Sequence, residues 1–397
     1  MSQVSEKMYN LGTKRSAIRE LFEYGKRKAA EIGEENVYDF SIGNPSIPAP
    51  ECVNREIERI LKEENSVAVH GYTSAQGDAH TRQAITDYLN KTHGTSFKAD
   101  NLYMTCGAAA SLTITFKAVV ESSDDEIVAV APFFPEYRVF AEGCNAKFKV
   151  IPPDEKDFQI DFSKVEEMVN EHTKVFIINS PNNPSGVVYS EETIKKLSEI
   201  LDRKQKEYNR VIYLVTDEPY REIVYDGAEV PFVTKYYRNT IVTYSYSKSL
   251  SLPGERIGWI LVPDEVTDSA AVYAAVCGAG RTLGYVCAPS LMQKMLIKCV
   301  GATGDVNEYK KNRDLLYGEL TGIGYECVKP EGAFYMFVKA LEKDSESFCE
   351  KAKQENLLIV DAESFGCPGY VRISYCVSYD MIKRSIPAFE RLYKSYN

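Results

Sequence analysis

Seven short runs rich in apolar and β-branched residues constrain the fold of this 397-residue chain most strongly. They are NLYMT (101–105), EIVAV (126–130), AKFKVI (146–151), KVFIIN (174–179), VIYLVT (211–216), TIVTY (240–244) and RIGWILV (256–262). Most of them are continuously apolar rather than alternating, which is typical of strands covered on both faces. We therefore predict a seven-stranded sheet flanked by helices.

Helical patterns lie between several of these runs. After Ser190, the side chains of Ile194, Leu197 and Leu201 fall on one face of a predicted helix, and acidic residues occupy its first turn. Strands that alternate with helices indicate an α/β domain with a largely parallel sheet. The segment SYSKSLSLPGE that joins the last two runs is too short for a crossover helix. We therefore expect the final strand to run antiparallel.

The two ends of the chain differ from its central segment. Residues 1–45 and 290–397 mix amphipathic helices with short strands such as AFYMFV and GYVRISY. The length of the chain also suits more than one domain. We predict a large domain over residues 46–289 and a smaller α+β domain formed by 1–45 and 290–397.

Composition argues against several classes of partner. The net charge is -10 and no basic stripe is present, which disfavours nucleic acid. The longest apolar runs are far shorter than the ~20 residues that a membrane helix needs, and the polar N-terminus has no signal-peptide core. The ten cysteines form no CxxC pair and there are four histidines, so we expect free thiols in the cytoplasm and no metal site.

Several candidate ligand-binding residues follow the predicted strands. In open α/β sheets, ligands bind beyond the carboxyl ends of the strands. The segment CGAAAS (106–111) follows the first run, so the backbone N–H groups of Gly107, Ala108 and Ala109 are candidates to bind an anion; a plain tight turn is the alternative. Phe133 follows the second run, where it either stacks on a flat ring or fills the core.

Polar residues also follow the fourth and fifth runs. NSPNNPSG (179–186) is a polar turn that places Asn182 and Asn183 at the edge of the sheet. Asp217 closes an apolar run, and a half-buried carboxylate is costly unless it is paired. It is either a helix N-cap or the partner of a cationic ring nitrogen. Tyr220 points the same way if this segment forms a helical turn.

The segment YSYSKSLSLPGERIGW (244–259) places a lysine among groups that suit a phosphate. Ser245, Ser247 and Arg256 offer two hydroxyls and a forked cation. A solvated surface position is the commoner use of a lysine such as Lys248. The glycines that a P-loop requires before its lysine are missing. A covalent link between Lys248 and a phosphate-bearing cofactor would explain why these phosphate-binding groups surround the lysine in the sequence.

The order of these motifs is more specific than any one of them. Together, the Asn-Pro turn, Asp-x-x-Tyr, Ser-x-x-Lys and the later arginine resemble the class I/II aminotransferases, which are fold-type-I pyridoxal-phosphate-dependent enzymes. The resemblance extends from SIGNPS (41–46) to YVRISY (370–375). It implies pyridoxal 5'-phosphate as the cofactor. It also implies transfer of an amino group between an L-amino acid and a 2-oxo acid, with ping-pong kinetics through pyridoxamine phosphate.

The resemblance also assigns roles to residues. It implies that Lys248 bonds covalently to the cofactor and moves the Cα proton, and that Asp217 pairs with the ring nitrogen. Asn183 and Tyr220 match the residues that bind the phenolic oxygen of the ring, and Phe133 matches the aromatic that stacks on it. The residues that match the phosphate-binding cup are Gly107, Ala108, Ala109, Ser245, Ser247 and Arg256. The family commonly has Gly, Ser or Thr where the two alanines stand, so only their backbone contacts are expected.

Further positions match the substrate site and a neighbouring subunit. Tyr72 matches a tyrosine that reaches the phosphate of the partner, which implies a homodimer with shared active sites. Arg372 matches the arginine that clamps the substrate α-carboxylate, and Gly43 and Asn183 match other substrate contacts. Side-chain specificity is not readable from the sequence. The candidates for binding a distal carboxylate, each of which also suits a plain surface position, are Lys14, Arg15 and Arg281.

Three alternatives remain at this stage. β-Lyases, decarboxylases and racemases can share the same cofactor site, because small changes around Cα redirect the chemistry. A regulator that uses this fold as a ligand sensor would need a DNA-binding segment, and the residues before SIGNPS are not notably basic. A catalytically inactive scaffold is disfavoured because Lys248, Asp217 and Arg372 are all present.

Overall fold

The computed structural model describes residues 4–13 and 17–396. Its contacts divide the chain into a smaller unit (Met1–Ser46, Glu308–Pro330 and Phe334–Asn397) and a larger one (Ile47–Asn307 and Glu331–Ala333). The sequence-based boundary at residue 289 differs from this division over residues 290–307. A helix in that segment buries Met292, Met295 and Leu296 in a core of the larger unit. The division into domains otherwise stays a prediction.

The helices of the described residues are spread along both units. They are α1 (Glu6–Thr13), α2 (Ala17–Ile32), α3 (Glu51–Glu63), α4 (Ser66–His70), α5 (Ala79–His93), α6 (Ala108–Val119), α7 (Glu136–Gly143), α8 (Phe162–Met168), α9 (Glu191–Glu207), α10 (Tyr246–Ser249), α11 (Ser269–Thr282), α12 (Ser290–Cys299), α13 (Val306–Ile323), α14 (Ser345–Gln354) and α15 (Tyr379–Lys394). Helix α9 begins as predicted, because Oγ of Ser190 caps it by accepting a hydrogen bond from the Thr193 N–H at 3.0 Å.

The strands of the described residues form one large sheet and two small ones. They are β1 (Tyr38–Asp39), β2 (Leu102–Thr105), β3 (Glu126–Val130), β4 (Lys147–Ile151), β5 (Thr173–Asn179), β6 (Tyr213–Asp217), β7 (Thr240–Ser245), β8 (Gly258–Leu261), β9 (Tyr335–Lys339), β10 (Leu357–Leu358), β11 (Val360–Asp361) and β12 (Tyr370–Ser374).

The large sheet has seven strands in the order β2-β8-β7-β6-β5-β3-β4. Strand β8 pairs antiparallel with both of its neighbours, and the other pairs are parallel. The predicted α/β fold, the seven strands and the antiparallel final strand are therefore confirmed. Because β8 is reversed, it begins at the edge where the other strands end.

Helices cover both faces of this sheet. On one face, Val175 and Val215 pack with Phe116 of α6 and Val276 of α11. On the other face, α9 covers the middle of the sheet, and α3, α5 and α12 cover β2, β8 and β7. Most of the strands are continuously apolar because both of their faces are buried, whereas the edge strand β4 exposes Lys147 and Lys149.

The smaller unit contains an antiparallel sheet in the order β11-β12-β9 and a parallel pair, β1 and β10. Arg372 lies on the central strand β12, opposite Phe337 on one side and Val360 on the other. An arginine in a buried central strand needs polar partners, since burial removes its hydration. This position therefore marks Arg372 as a candidate functional residue of the smaller unit.

All ten cysteines are free thiols in the structure. They are distributed over both units, and five of them are buried. Among the described residues, no helix combines the length and the apolar character required to pass through a membrane.

Candidate active site

The turn after β2 forms the first part of the site. Gly107 has a φ of 89° and is the N-cap of α6, without a side-chain cap. The first N–H groups of a helix have no partner within it, so those of Ala108 and Ala109 are suited to bind an anion. A Cβ on Gly107 would lie 2.8 Å from Nη2 of Arg256. Only glycine lets the guanidinium approach the turn this closely.

Two serine hydroxyls and the same arginine add further hydrogen-bond donors beside this turn. Oγ of Ser245 and Oγ of Ser247 lie 2.8 Å apart, and Nη1 of Arg256 donates to Oγ of Ser247 at 3.4 Å. Arg256 has a φ of 53°, in the left-handed region that is uncommon for residues other than glycine and is concentrated at functional sites. The predicted cup residues therefore lie together, and their donors suit a phosphate.

A second glycine, Gly258, allows β8 to approach β7 and the turn after β2 closely. A Cβ on Gly258 would lie 2.3 Å from the carbonyl oxygen of Tyr244 and 3.0 Å from Cα of Gly107. The turn after β2 therefore packs directly against the start of β8. No sequence motif singled out Gly258 for this task, although it stands two residues after Arg256.

Lys248 lies on α10, a single turn that follows β7 directly. Oγ of Ser245 caps this turn by accepting a hydrogen bond from the Ser247 N–H at 3.1 Å. The lysine is half-buried. Strand β7 neighbours β6, and Thr243 is in register with Asp217. The sheet therefore brings the lysine turn and the predicted carboxylate to the same edge.

Asp217 is a buried carboxylate with two different oxygens. Oδ2 accepts a hydrogen bond from Oη of Tyr137 at 2.6 Å, whereas Oδ1 accepts none from any described residue. Burial raises the pKa of Asp217 to about 7; the bond from Tyr137 opposes this and Glu218 adds to it. Turns rather than a helix follow Asp217, so it is not an N-cap. A protonated ring nitrogen at Oδ1 would pair this carboxylate.

The loop after β5 is tied to the end of β6. Nδ2 of Asn179 donates to the carbonyl oxygen of Asp217 at 2.7 Å, and Oδ1 of Asn179 accepts from the Asn183 N–H at 2.7 Å. Asn182 holds the loop internally, since its Oδ1 accepts from both N and Oγ of Ser185. The structure thus places Asn183, which is buried, at the predicted edge. Asn179 was not singled out from the sequence, although it lies in the same polar turn.

Two aromatics of the segment APFFPEY differ in their surroundings. Phe133 is buried in the core and packs edge-on against Phe148, with ring centroids 5.1 Å apart. Phe134 is half-buried and packs edge-on against Tyr137 at 5.6 Å. Tyr137 is the partner of Asp217, so Phe134 is a second candidate for the stacking role predicted for Phe133. Apart from its place in this segment, no sequence signal points to Tyr137. Tyr220 is buried in the turn after β6.

The predicted carboxylate-binding residues lie together in the smaller unit. Nη2 of Arg372 donates to the carbonyl oxygen of Ser41 at 2.6 Å. The guanidinium carbon lies 4.8 Å from the ring centroid of Tyr335, a cation–π contact. A Cβ on Gly43 would lie 2.0 Å from Oη of Tyr335, so this position admits no side chain. Tyr335 was not predicted, because its link to Arg372 depends on the pairing of β9 with β12.

The remaining predicted residues lie on the surface or outside the described residues. Tyr72 is 91% exposed, just after α4. Its segment is held in place because Gln293 bonds both Thr73 and the Asp78 N–H. Arg281 is exposed in the last turn of α11. Lys14 and Arg15 lie outside the described residues.

Comparison with known proteins gives concordant results. A family model, aminotransferase class I and II, matches residues 35–389. A probable aspartate aminotransferase of Methanocaldococcus jannaschii is 30% identical over 391 residues, which cover 96% of this chain and 98% of that protein. The aspartate aminotransferase of Pyrococcus horikoshii is also 30% identical, with 95% and 94% covered. A crystal structure of an aminotransferase from Eubacterium rectale matches with a TM-score of 0.98, 67% identity and full coverage of both chains.

The fold and the family match together define a fold-type-I transferase. The chain belongs to the aminotransferase class I and II family. It is an enzyme of the aminotransferase type, and such enzymes generally depend on pyridoxal phosphate. The predicted family and enzyme class are therefore confirmed.

Proposed function

We propose that this enzyme transfers an amino group between an L-amino acid and a 2-oxo acid in the two half-reactions of a ping-pong cycle, with pyridoxal 5'-phosphate as its cofactor. The observation that carries the proposal is the environment of Asp217. A buried carboxylate whose Oδ1 accepts no hydrogen bond from the described residues lies on the strand next to the lysine turn. This arrangement suits a planar cationic ring and has no evident use without one.

The residues of the larger unit fit the parts of this cofactor. Bound here, pyridoxal phosphate would supply an aldehyde that bonds to Lys248 and a cationic ring that accepts electrons from Cα of the substrate. The turn at Gly107 would hold its phosphate, together with Ser245, Ser247 and Arg256. A cationic ring beside Asp217 would oppose the effect of burial, so the carboxylate would be ionised.

The other residues would orient the reactants. Lys248 would act as the general base that takes the proton from Cα of the substrate and returns it to the carbon that derives from the cofactor aldehyde. Arg372 would hold the α-carboxylate of the substrate through its forked guanidinium. Asn183 and Tyr220 would bond the phenolic oxygen of the ring. Either Phe133 or the less buried Phe134 would pack against its face.

The exposed aromatic Tyr72 supports a homodimer. A tyrosine that is 91% exposed on a held segment has a large apolar surface available for a second copy of this chain. Val67, on the preceding helix α4, is 81% exposed. We propose that Tyr72 contributes to the site of the neighbouring subunit. A cytoplasmic location would keep the ten free thiols reduced.

The covalent role of Lys248 provides the first test. Wild-type protein incubated with pyridoxal phosphate and then reduced with borohydride should carry the cofactor on the peptide that contains Lys248. The Lys248→Ala variant should lose both this adduct and turnover, because the covalent bond and the proton transfer both require the lysine amine. Lys204→Ala, which removes a buried lysine of α9, is the control and should retain both. Normal turnover in Lys248→Ala would contradict the proposal.

The type of reaction is tested with single amino acids and no oxo acid. An aminotransferase should give one equivalent of the corresponding 2-oxo acid and then stop, without releasing ammonia. Continuous release of ammonia, pyruvate and a thiol from a cysteine conjugate would instead identify a C–S β-lyase. Continuous release of carbon dioxide would identify a decarboxylase.

A further inference from the structure

A chain of three hydrogen-bonded side chains leads to the helical turn that carries Lys248. Oη of Tyr244 donates a hydrogen bond to Oε2 of Glu222 at 2.8 Å and shares another with Oγ of Ser249, also at 2.8 Å. Ser249 directly follows Lys248 in α10. We call Glu222, Tyr244 and Ser249 the Glu–Tyr–Ser relay. No role proposed above for the cofactor or the substrate uses these three side chains.

The relay lies on the face of the sheet opposite Tyr137, the partner of Asp217. Tyr244 belongs to the core that α5 and α12 cover, whereas Tyr137 belongs to the core on the other face. The ring of Tyr244 stacks on Trp259, with centroids 4.9 Å apart and planes 15° apart. It also packs edge-on against Tyr246 at 5.0 Å. Its hydroxyl is therefore held in a fixed position.

The Glu222 carboxyl is the hydrogen-bond acceptor at one end of the relay. Burial raises the pKa of the Glu222 carboxyl, and the bond from Tyr244 and the charge of Arg221 both oppose this. Arg221 is itself paired with Glu218 at 2.6 Å, and Tyr88 of α5 also faces Glu222. A phenol has a single proton, and Tyr244 donates it to Glu222. The hydroxyl of Ser249 then donates to Tyr244.

The lysine turn needs such support because it is short. A single helical turn is not stable by itself. Its first end is held by the cap of Ser245. At its other end, the carbonyl oxygen of Ser249 accepts from the Gly304 N–H at 2.9 Å, and the hydroxyl of Ser249 joins the relay. The relay is therefore the side-chain anchor at the end of the turn nearest Lys248.

We propose that the Glu–Tyr–Ser relay is a positioning device that fixes the turn Tyr246–Ser249 and thereby directs Nζ of Lys248 toward the aldehyde of the cofactor. The proposal rests on the proposed function of Lys248. Small errors in the placement of a reacting group slow a reaction steeply, because the productive geometry is then populated less often. Loss of the relay should therefore slow covalent capture by the lysine much more than it weakens the phosphate-binding cup, because Ser247 is also held by Ser245 and Arg256.

The test compares Ser249→Ala, Ser249→Thr and Tyr244→Phe with the wild type. Cofactor-free protein is mixed with pyridoxal phosphate and quenched with borohydride at successive times. Mass spectrometry then measures the fraction of the Lys248 peptide that carries the cofactor. We expect Ser249→Ala and Tyr244→Phe to slow capture by about tenfold or more. Ser249→Thr, which keeps the hydroxyl, should capture at nearly the wild-type rate.

A second measurement separates the lysine from the cup. Pyridoxine phosphate has no aldehyde, so its affinity reports the cup and the ring contacts without the covalent bond to Lys248, and it should change much less in the variants than the capture rate does. Tyr237→Phe is the matched control, because it removes another buried phenol, which donates to the Ile212 carbonyl oxygen at 2.7 Å. It should not slow capture. If Tyr244→Phe fails to fold, the pair Ser249→Ala and Ser249→Thr decides.

Three outcomes are distinguishable. Capture at the wild-type rate in Ser249→Ala would overturn the proposal. So would a loss of pyridoxine phosphate affinity that matches the loss in capture rate, since the relay would then support the cup rather than the lysine. If wild-type protein forms no adduct on Lys248, it is the proposed function that fails.

Discussion

Oη of Tyr137 donates a hydrogen bond of 2.6 Å to Oδ2 of Asp217, and the two buried residues are 80 positions apart in the sequence. Because the phenol occupies one oxygen, the carboxylate has a fixed orientation. The other oxygen, Oδ1, accepts no hydrogen bond from the described part of the chain. Folding thus buries a carboxylate in the interior, where its ionised form is unfavourable. The stability of the cofactor-free protein should therefore depend on pH.

The cofactor-free enzyme should lose stability as pH rises toward 7. The pKa of Asp217 is about 7 in the folded protein, against an ordinary value of 3.8. A raised carboxyl pKa favours the folded state at low pH, and this contribution is lost as pH rises through the folded pKa. Between pH 5 and pH 8 the wild type should lose roughly 3 kcal/mol of unfolding free energy relative to Asp217→Asn. Urea denaturation of both proteins at the two pH values measures this difference.

A matched control variant tests whether this pH effect belongs to Asp217. Asp125→Asn removes another buried carboxylate, which pairs with Arg210 and whose pKa is lowered rather than raised. This variant should not gain stability over the wild type as pH rises. Cofactor binding should also weaken the effect in the wild type, because it supplies a cation for the carboxylate. A stability difference between wild type and Asp217→Asn that is independent of pH would contradict the prediction.

Gly107→Ala should weaken binding of the cofactor through its phosphate. The new Cβ would lie 2.8 Å from Nη2 of Arg256, at a residue whose φ is 89°. Such backbone positions cost about 1–3 kcal/mol for other residues, so affinity should fall by about tenfold or more. Titration with pyridoxal phosphate and with unphosphorylated pyridoxal measures the effect, which should be absent for pyridoxal. Gly143→Ala, where a Cβ meets nothing within 4 Å, is the control.

Arg372→Lys should raise KM for the amino-acid substrate and leave the cofactor in place. A lysine cannot reproduce the two parallel hydrogen bonds of a guanidinium, so we expect an increase of about tenfold. Arg313→Lys alters another buried arginine of the smaller unit and should leave KM unchanged. Steady-state kinetics with borohydride capture on Lys248 provides both readouts. An unchanged KM in Arg372→Lys would argue against its role in binding the carboxylate.

Tyr72→Phe should weaken cofactor binding, because we propose that this tyrosine reaches the phosphate in the site of a neighbouring subunit. Loss of one hydrogen bond to a charged phosphate should cost about tenfold in affinity. An equal mixture of Tyr72→Phe and Lys248→Ala chains tests the geometry, since exchange of subunits creates sites that combine both intact residues. Such hybrids should recover about a quarter of wild-type activity at limiting cofactor. No recovery after verified subunit exchange would show that each tyrosine serves its own chain.

The strands and the cup could be predicted from the sequence because their signals are local. Continuous apolar runs marked strands buried on both faces, and these matched β2–β8 closely. Lys248, Ser245 and Arg256 stand close together in the chain, so their shared chemistry was visible. The same local order placed Asp217 at the end of a strand.

The contacts that the sequence did not reveal are those made between distant segments. Tyr137 of α7 bonds Asp217 at the end of β6, and the Arg372 guanidinium lies over the ring of Tyr335 because β9 pairs with β12. No pattern in the amino-acid sequence predicts either contact. The segment 290–307 belongs by its contacts to the larger unit, and its apolar residues do not indicate in the sequence which core they fill. Which of Phe133 and Phe134 is buried in the core also depends on contacts with other segments, such as that between Phe133 and Phe148.

The reversed strand β8 has a consequence for the order of folding. Because β7 and β8 are consecutive and adjacent, a single hairpin carries Lys248 and Arg256 on its connecting loop. Closing this short loop costs roughly 1.7 kcal/mol less in chain entropy than joining Asp217 to Tyr137 across 80 residues. We therefore expect the cationic half of the site to assemble early and its carboxylate late. Pulse-labelled hydrogen exchange during refolding would show this as protection of β7 and β8 before the end of β6.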